Sequence, residues 1–322
     1  MIKYVYAIIS SENDYIVEQA LVSMYSLKKH NPEADITLVS DGKTFKTFNG
    51  ERARIKEYIN EVIIENPPEH YCATEKSRFL KTSLRRLVTG DFLYLDNDTI
   101  ITGSLKELEN FTGDLGAIKD HHQDAIKNNI MIHGQISNYL AITKKSFWGN
   151  PQYFNGGVFL ARDTEATHKF FDDWHKIWKE EREKFGIKID QPALAQANEL
   201  NNHLIEEISG IYNNQFLLST GKPLLFNSKV FHYFANSPLA KYFPLNKKEC
   251  LKLIRDQGIS DEINEIITNP LKAFLNSSVI LCGDEIDKYT SPIVVLARIL
   301  ATKHKWSQHI ARFLFWLKGL TM

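Results

Sequence analysis

Phe92-Leu93-Tyr94-Leu95-Asp96-Asn97-Asp98 is the stretch on which the reading of this chain turns. Four aromatic and aliphatic residues without a polar face suit a strand buried on both sides of a sheet. Asp96-Asn97-Asp98 then stops it, and it is the only Asp-x-Asp in the sequence. Two carboxylates at a strand exit can converge on one hard divalent cation. Magnesium and manganese prefer such oxygen ligands and commonly share them with substrate phosphates. The same residues also suit a plain strand-ending turn, because Asp and Asn favour turns.

Outward from this stretch, strands and helices alternate. Residues 4–9 are β-branched and aromatic and read as a buried first strand. Val17, Ala20, Leu21, Met24 and Leu27 recur at helical spacing. Asn31-Pro32 closes that helix, since the residue before proline avoids the α region. Short strands at 36–39 and 62–64 end in Ser40-Asp41-Gly42 and Asn66-Pro67-Pro68. One helix is expected over 75–87, a strand over 156–160 and a last short strand over 230–233. An amphipathic helix over 164–184 would carry Phe170, Phe171, Trp174 and Trp178 on one side. Residues 120–152 show no clear period, carry His121, His122 and His133, and read as a long functional loop. Past residue 238 only helical patterns remain. Alternating strands and helices imply βαβ units and a mostly parallel sheet. Ligands then bind at the carboxyl ends of the strands, so the loops after Ile9, Val39 and Leu95 should line one site.

Bulk properties narrow the class. With 43% hydrophobic and 11% aromatic residues the chain is not disordered. It has 39 basic and 39 acidic residues, and this zero balance argues against a nucleic-acid partner. Cys72, Cys250 and Cys282 form neither a CxxC pair nor a disulfide framework, which suits the reducing cytoplasm. No signal peptide or membrane-spanning run is read.

Further segments bring a resemblance. Ser77-Arg78-Phe79-Leu80-Lys81-Thr82-Ser83-Leu84 followed by the Asp-x-Asp strand resembles glycosyltransferase family 8. That family includes glycogenin and bacterial lipopolysaccharide galactosyltransferases. Gly116-Ala117-Ile118-Lys119-Asp120, Tyr153-Phe154-Asn155-Gly156-Gly157-Val158, Asp190-Gln191 and His232-Tyr233 follow in the family's order. The resemblance covers residues 4–233. It implies the α/β GT-A fold, a Rossmann-like mixed sheet flanked by helices that binds a nucleotide sugar, here over residues 1–237. It also implies metal-dependent transfer of a hexose, glucose or galactose, from a UDP-sugar with retention. A glycan or glycolipid acceptor of a bacterial surface polysaccharide would fit.

The resemblance also assigns residues. Asp96, Asp98 and His232 would hold manganese or magnesium, the mixed oxygen and imidazole set favouring manganese. Arg78 would bind the donor through its guanidinium fork. Asn97, Asp120, Asn155 and Gly156 would line the donor, with Gly156 and Gly157 admitting the sugar closely. Gln191 would sit at the anomeric carbon, with Asp190 binding the sugar or stabilising an oxocarbenium ion. An N-cap role fits Asp190 equally well. Lys76, Lys81, Arg85 and Arg86 read as solvated helix surface. The first loop, Ser10-Ser11-Glu12-Asn13-Asp14-Tyr15, is longer than the family's. Backbone groups of Ala7 and Ile8 would bind uracil, with Tyr15 stacking on it. Lys241 is a shifted substitute for the family's diphosphate clamp.

The tail differs from the body. Six basic and no acidic residues fall in 288–322, leaving 33 basic against 39 acidic before it. Trp306, Ile310, Phe313, Leu314 and Leu317 share one helical face. Such a helical extension, 238–322, suits either docking on the body or peripheral contact of residues 292–318 with the inner face of an anionic membrane. Two other functions stay open: a sugar nucleotidyltransferase, although Ser10–Tyr15 lacks the Gly and basic residues it needs, and a non-catalytic sugar-nucleotide or glycan binder.

Overall fold

The computed structural model describes residues 2–123, 130–144, 152–237, 240, 243–271 and 291–296. The chain divides into two compact units, Met1–Ala273 and Phe274–Met322. In the second, residues 292–296 are helical. Lys241 and most of the basic tail, including Trp306 through Leu317, lie outside the described residues. No helix among the described residues is long and apolar enough to cross a membrane.

The first unit runs β1 (Lys3–Ile8), α1 (Ile16–His30), β2 (Asp35–Ser40), α2 (Gly42–Lys46), β3 (Glu61–Ile64), α3 (Ala73–Thr82), α4 (Leu84–Leu87), β4 (Phe92–Leu95) and β5 (Thr99–Ile101). It continues with β6 (Leu115–Lys119), α5 (Ile130–Thr143), β7 (Phe154–Ala161), α6 (Glu165–Phe185), α7 (Gln191–Leu200), β8 (Ile205–Glu207), β9 (Val230–His232), α8 (Lys248–Gln257) and α9 (Asp261–Thr268). Seven strands form one mixed sheet in the order β3-β2-β1-β4-β7-β6-β8. The β3-β2-β1-β4 half is parallel; β7 runs antiparallel to both β4 and β6. A separate ribbon pairs β5 with β9, setting Thr99 opposite His232. That register brings the Asp-x-Asp turn and the late histidine together.

All four residues of β4 are buried, as a central strand requires. Its Tyr94 stacks on Phe159 of β7, ring centroids 4.8 Å apart, and from α6 Trp174 packs edge-on and Phe171 at a tilt against Phe159. Each such buried aromatic is worth roughly 1.5–3 kcal/mol of transfer free energy. α6 is held at both ends: the Thr164 hydroxyl caps its N-terminus, and Gly186 at φ 70° ends it in the left-handed region.

Four local readings need correction. The expected helix over 75–87 is two helices, broken at Ser83, whose hydroxyl donates to the Phe79 carbonyl. Residues 120–152 are not all loop, since α5 fills 130–143. Its apolar and polar residues are spread round every side, so no amphipathic period marks it. The three-residue β8 was too short to read. Lys81 and Arg85 are not solvated: their side chains are 4% and 1% exposed, and Lys76 is mostly covered. Each turns its charge to a carboxylate on a neighbouring loop, Asp96, Asp163 and Asp41 respectively. Only Arg86 behaves as surface.

Candidate active site

Four loops meet at the carboxyl edge of the parallel strands. The carboxyl end of β1 is tied to its neighbours: Asn97 Nδ2 donates to the Ala7 carbonyl at 3.2 Å, and Ser40 Oγ donates to that of Ile8 at 3.0 Å. Tyr15 sits just before α1, with the Arg255 guanidinium 4.4 Å from its ring centroid.

Asp96, Asp98 and His232 each turn a ligand atom inward, all within 4.8 Å of one another. His232 Nε2 lies 3.2 Å from Asp98 Oδ1, and the Ala235 amide donates to Asp98 Oδ2 at 2.7 Å. Burial would raise the Asp98 carboxyl, but the His232 charge and these hydrogen bonds outweigh it and bring it down to about 2. Burial would lower His232, and Asp98 then Asp96 outweigh that and raise it. A divalent cation taken up between these groups would displace the imidazole proton. Two carboxylates and one imidazole suit manganese or magnesium. The cradle itself depends on Gly157: a Cβ there would lie 2.4 Å from His232 Cε1 and 2.9 Å from Asp96 Oδ2. The residues thus fit a divalent metal.

Asp96 is further held by Tyr94 Oη at 2.5 Å and by Lys81 Nζ at 2.9 Å, both on Oδ1. Its Oδ2 is the oxygen nearer the cluster's glycine. Burial, then Asp96, push the Tyr94 hydroxyl well above its ordinary value, so it stays a donor.

The second half of the site lies at the start of α7. Asp190 Oδ1 is 3.0 Å from Arg78 Nε. Burial opposes the Arg78 charge, but Asp190 foremost holds its pKa above the ordinary value. The Asp190 side chain makes no capping bond, so its carboxylate serves Arg78. Asp190 Oδ2, Gln191 Nε2 and Asn97 Oδ1 are buried with no hydrogen-bond partner. Buried polar atoms seldom go without a partner, whether protein, water or ligand. Asp120 and Asn155 are also buried and are bonded to each other, Nδ2 to Oδ1, at 2.9 Å.

Sequence reasoning missed two parts. One is Lys81, taken for helix surface. The other is Asn213-Asn214-Gln215, three consecutive carboxamides that are all fully buried. Gln215 accepts from the His121 amide and donates to the Lys119 carbonyl, fixing the turn that carries Asp120. Three buried amides in a row need many partners, and that run was the available signal.

The fold is thus a mixed sheet with a carboxylate–imidazole cluster at its crevice. The family described as "Glycosyl transferase family 8" matches residues 7–237, and the chain belongs to it. It is therefore a family 8 glycosyltransferase, of the class in which a divalent metal is common. A comparison with curated protein sequences finds no match. Among solved structures, the apo bifunctional glycosyltransferase WbbM is 13% identical with a TM-score of 0.52, over 85% of this chain and 51% of that one. That likeness is one of fold, the GT-A fold expected. The galactosyltransferase LgtC, solved with donor and acceptor sugar analogues, is 16% identical with a TM-score of 0.49, over 88% of this chain and 98% of that one. GlyE of Streptococcus pneumoniae is 17% identical with a TM-score of 0.48, over 86% and 65%.

Proposed function

We propose that the chain is a metal-dependent, retaining hexosyltransferase that moves glucose or galactose from a UDP-sugar to a glycan or glycolipid acceptor of a bacterial surface polysaccharide. The observation that carries this reading is the convergence of Asp96, Asp98 and His232 beside the buried, incompletely bonded Asp190 and Gln191.

Asp96, Asp98 and His232 would hold manganese or magnesium, which when bound offsets the charge of the departing diphosphate. Arg78 pairs with Asp190 at 3.0 Å and so holds its carboxyl group towards the sugar, where positive charge develops. Asp120 and Asn155 take the hexose hydroxyls, and the orphan Asn97 Oδ1 accepts from the donor. Gln191 presents a neutral amide, a poor nucleophile. Retention then follows a front-face route: the acceptor hydroxyl attacks from the leaving-group side, and its proton passes to the departing phosphate oxygen. Gln191 Nε2 is free to orient that hydroxyl or the sugar. Ala7, Ile8 and Tyr15 are assigned to the uracil, and Lys241 to the diphosphate.

The test is release of UDP from a panel of UDP-, GDP- and CMP-sugars, with Mn2+ or with chelator. UDP release that stops in chelator and in Asp98→Asn or His232→Ala, both still folded, is expected. Undiminished release in chelator would sink the metal role, and GDP or CMP as the preferred leaving group would sink the donor assignment.

A further inference from the structure

A continuous run of hydrogen bonds joins the metal-ligand cluster to the sugar-facing residues, and one residue outside every motif closes it. His232 Nδ1 lies 3.0 Å from Asn213 Oδ1. Asn213 Nδ2 donates to Asn155 Oδ1 at 3.0 Å. Asn155 Oδ1 also accepts from the Gly157 amide at 2.9 Å, and Asn155 Nδ2 donates to Asp120 Oδ1. Asn213, Asn155, Asp120 and His232 are all buried.

The direction of every bond is fixed by one backbone group. The Gly157 N–H can only donate, so the Asn155 atom facing it is the oxygen. The Asn213 atom facing that oxygen must be the nitrogen, which turns Asn213 Oδ1 to His232. A carboxamide oxygen only accepts, so His232 carries hydrogen on Nδ1 and presents Nε2 to Asp98 and the cluster. Asn155 Nδ2 is left for the Asp120 carboxylate. Either amide reversed would set two donors or two acceptors against each other in a buried space.

Resting on the donor-site reading above, we propose that Asn213 is a positioning residue that couples the two halves of the site. One arm orients His232 for ligation through Nε2; the other holds Asn155, and through it Asp120, in the pose that receives the hexose. The arms are separable by substitution. Asn213→Asp keeps an acceptor for His232 Nδ1 but faces Asn155 Oδ1 with a second acceptor, so Asn155 must turn away from Gly157 and Asp120. Asn213→Leu removes both arms.

The experiment titrates wild type and both variants, their fold checked by circular dichroism, with three probes. Mn2+ alone is followed by electron paramagnetic resonance, with spin-echo modulation from a bound nitrogen as the signature of His232 ligation. UDP, then UDP-glucose and UDP-galactose, are followed by calorimetry. Asn213→Leu should lose about tenfold or more in Mn2+ affinity together with the nitrogen modulation. Asn213→Asp should keep both, bind UDP as wild type does, and lose the added affinity that the hexose confers over UDP. An unchanged hexose increment in Asn213→Asp would overturn the coupling, as would unchanged Mn2+ binding in a folded Asn213→Leu. Should Asn213→Leu not fold, Asn213→Asp decides alone, because its expected effect falls on the hexose and spares the metal. A wild-type protein that takes up neither Mn2+ nor a UDP-hexose overturns the donor-site reading itself, and the coupling with it.

Discussion

Lys81 Nζ sits 2.9 Å from Asp96 Oδ1 while also donating to the Gly156 carbonyl at 3.0 Å. One buried ammonium thus joins the Asp-x-Asp turn to the glycine pair of β7, with the Tyr94 ring beneath it at 4.9 Å. Its partner carboxylate is 24% exposed, so water screens the pair only in part. Lys81→Met should lower stability by about 2–3 kcal/mol, from the unpaired Asp96 and the orphaned carbonyl. Urea unfolding measures it. A loss indistinguishable from that of the exposed Arg86→Met would return Lys81 to the role of surface charge.

Gly157 and its neighbour Gly156 make a matched comparison. A Cβ on Gly157 would collide with His232 Cε1, Asn155 Oδ1 and Asp96 Oδ2, whereas one on Gly156 meets nothing nearer than 3.8 Å. Gly157→Ala should therefore displace the ligand cluster and cut kcat/KM by about 100-fold, with Mn2+ affinity falling alongside. Gly156→Ala should leave Mn2+ affinity unchanged, any effect appearing in KM for the donor. Equal effects of the two substitutions on Mn2+ binding would contradict the geometry.

What could be read in advance follows from which interactions are local. β4 and its Asp-x-Asp exit are written in seven consecutive residues, and the Asp190-Gln191 helix start and the 3.6-residue stripe of α6 are equally local. The likeness to a family added His232, which no local pattern singles out. Lys81 was misread because a lysine on an amphipathic helix looks the same whether it faces water or a carboxylate 15 residues on. Asn213 was missed for the same reason: its partners, Asn155 and His232, lie 58 and 19 positions away. α5 is hidden because its polar and apolar residues do not segregate to two faces, and β8 by its length.

Arg255 of α8 lies beyond the family match yet grips the loop that follows β1. Its guanidinium donates to the Glu12 and Asp14 carbonyls and shares the buried Glu18 carboxylate with Arg52, both Nε atoms 2.7 Å from Glu18 Oε1. Arg52 adds the Ser11 carbonyl at 2.7 Å. Two cations around one buried anion hold this loop as a formed surface. Arg255→Ala should cost about 2 kcal/mol and speed hydrogen exchange at the amides of residues 11–16, with little change elsewhere in the sheet. Protection in that loop equal to wild type would show that Arg52 suffices.

His175 gives a pH dependence separate from the ligand cluster. On α6, its Nδ1 meets the Thr82 hydroxyl at 2.8 Å, and its ring packs against Phe79 and Trp178. Burial foremost, then the charges of Arg86 and Lys179, bring its pKa from 6.5 down to about 4. The folded state thus binds this proton less readily than the unfolded chain. Stability is unaffected above pH 6.5, falls as the pH drops from there towards 4, and levels off below it. With partial exposure allowed for, the loss is about 2 kcal/mol. His175→Asn keeps a group facing Thr82 and cannot titrate, so in urea unfolding across that range its stability should fall less steeply than that of wild type. Parallel curves for the two proteins would mean that other groups carry the whole acid dependence.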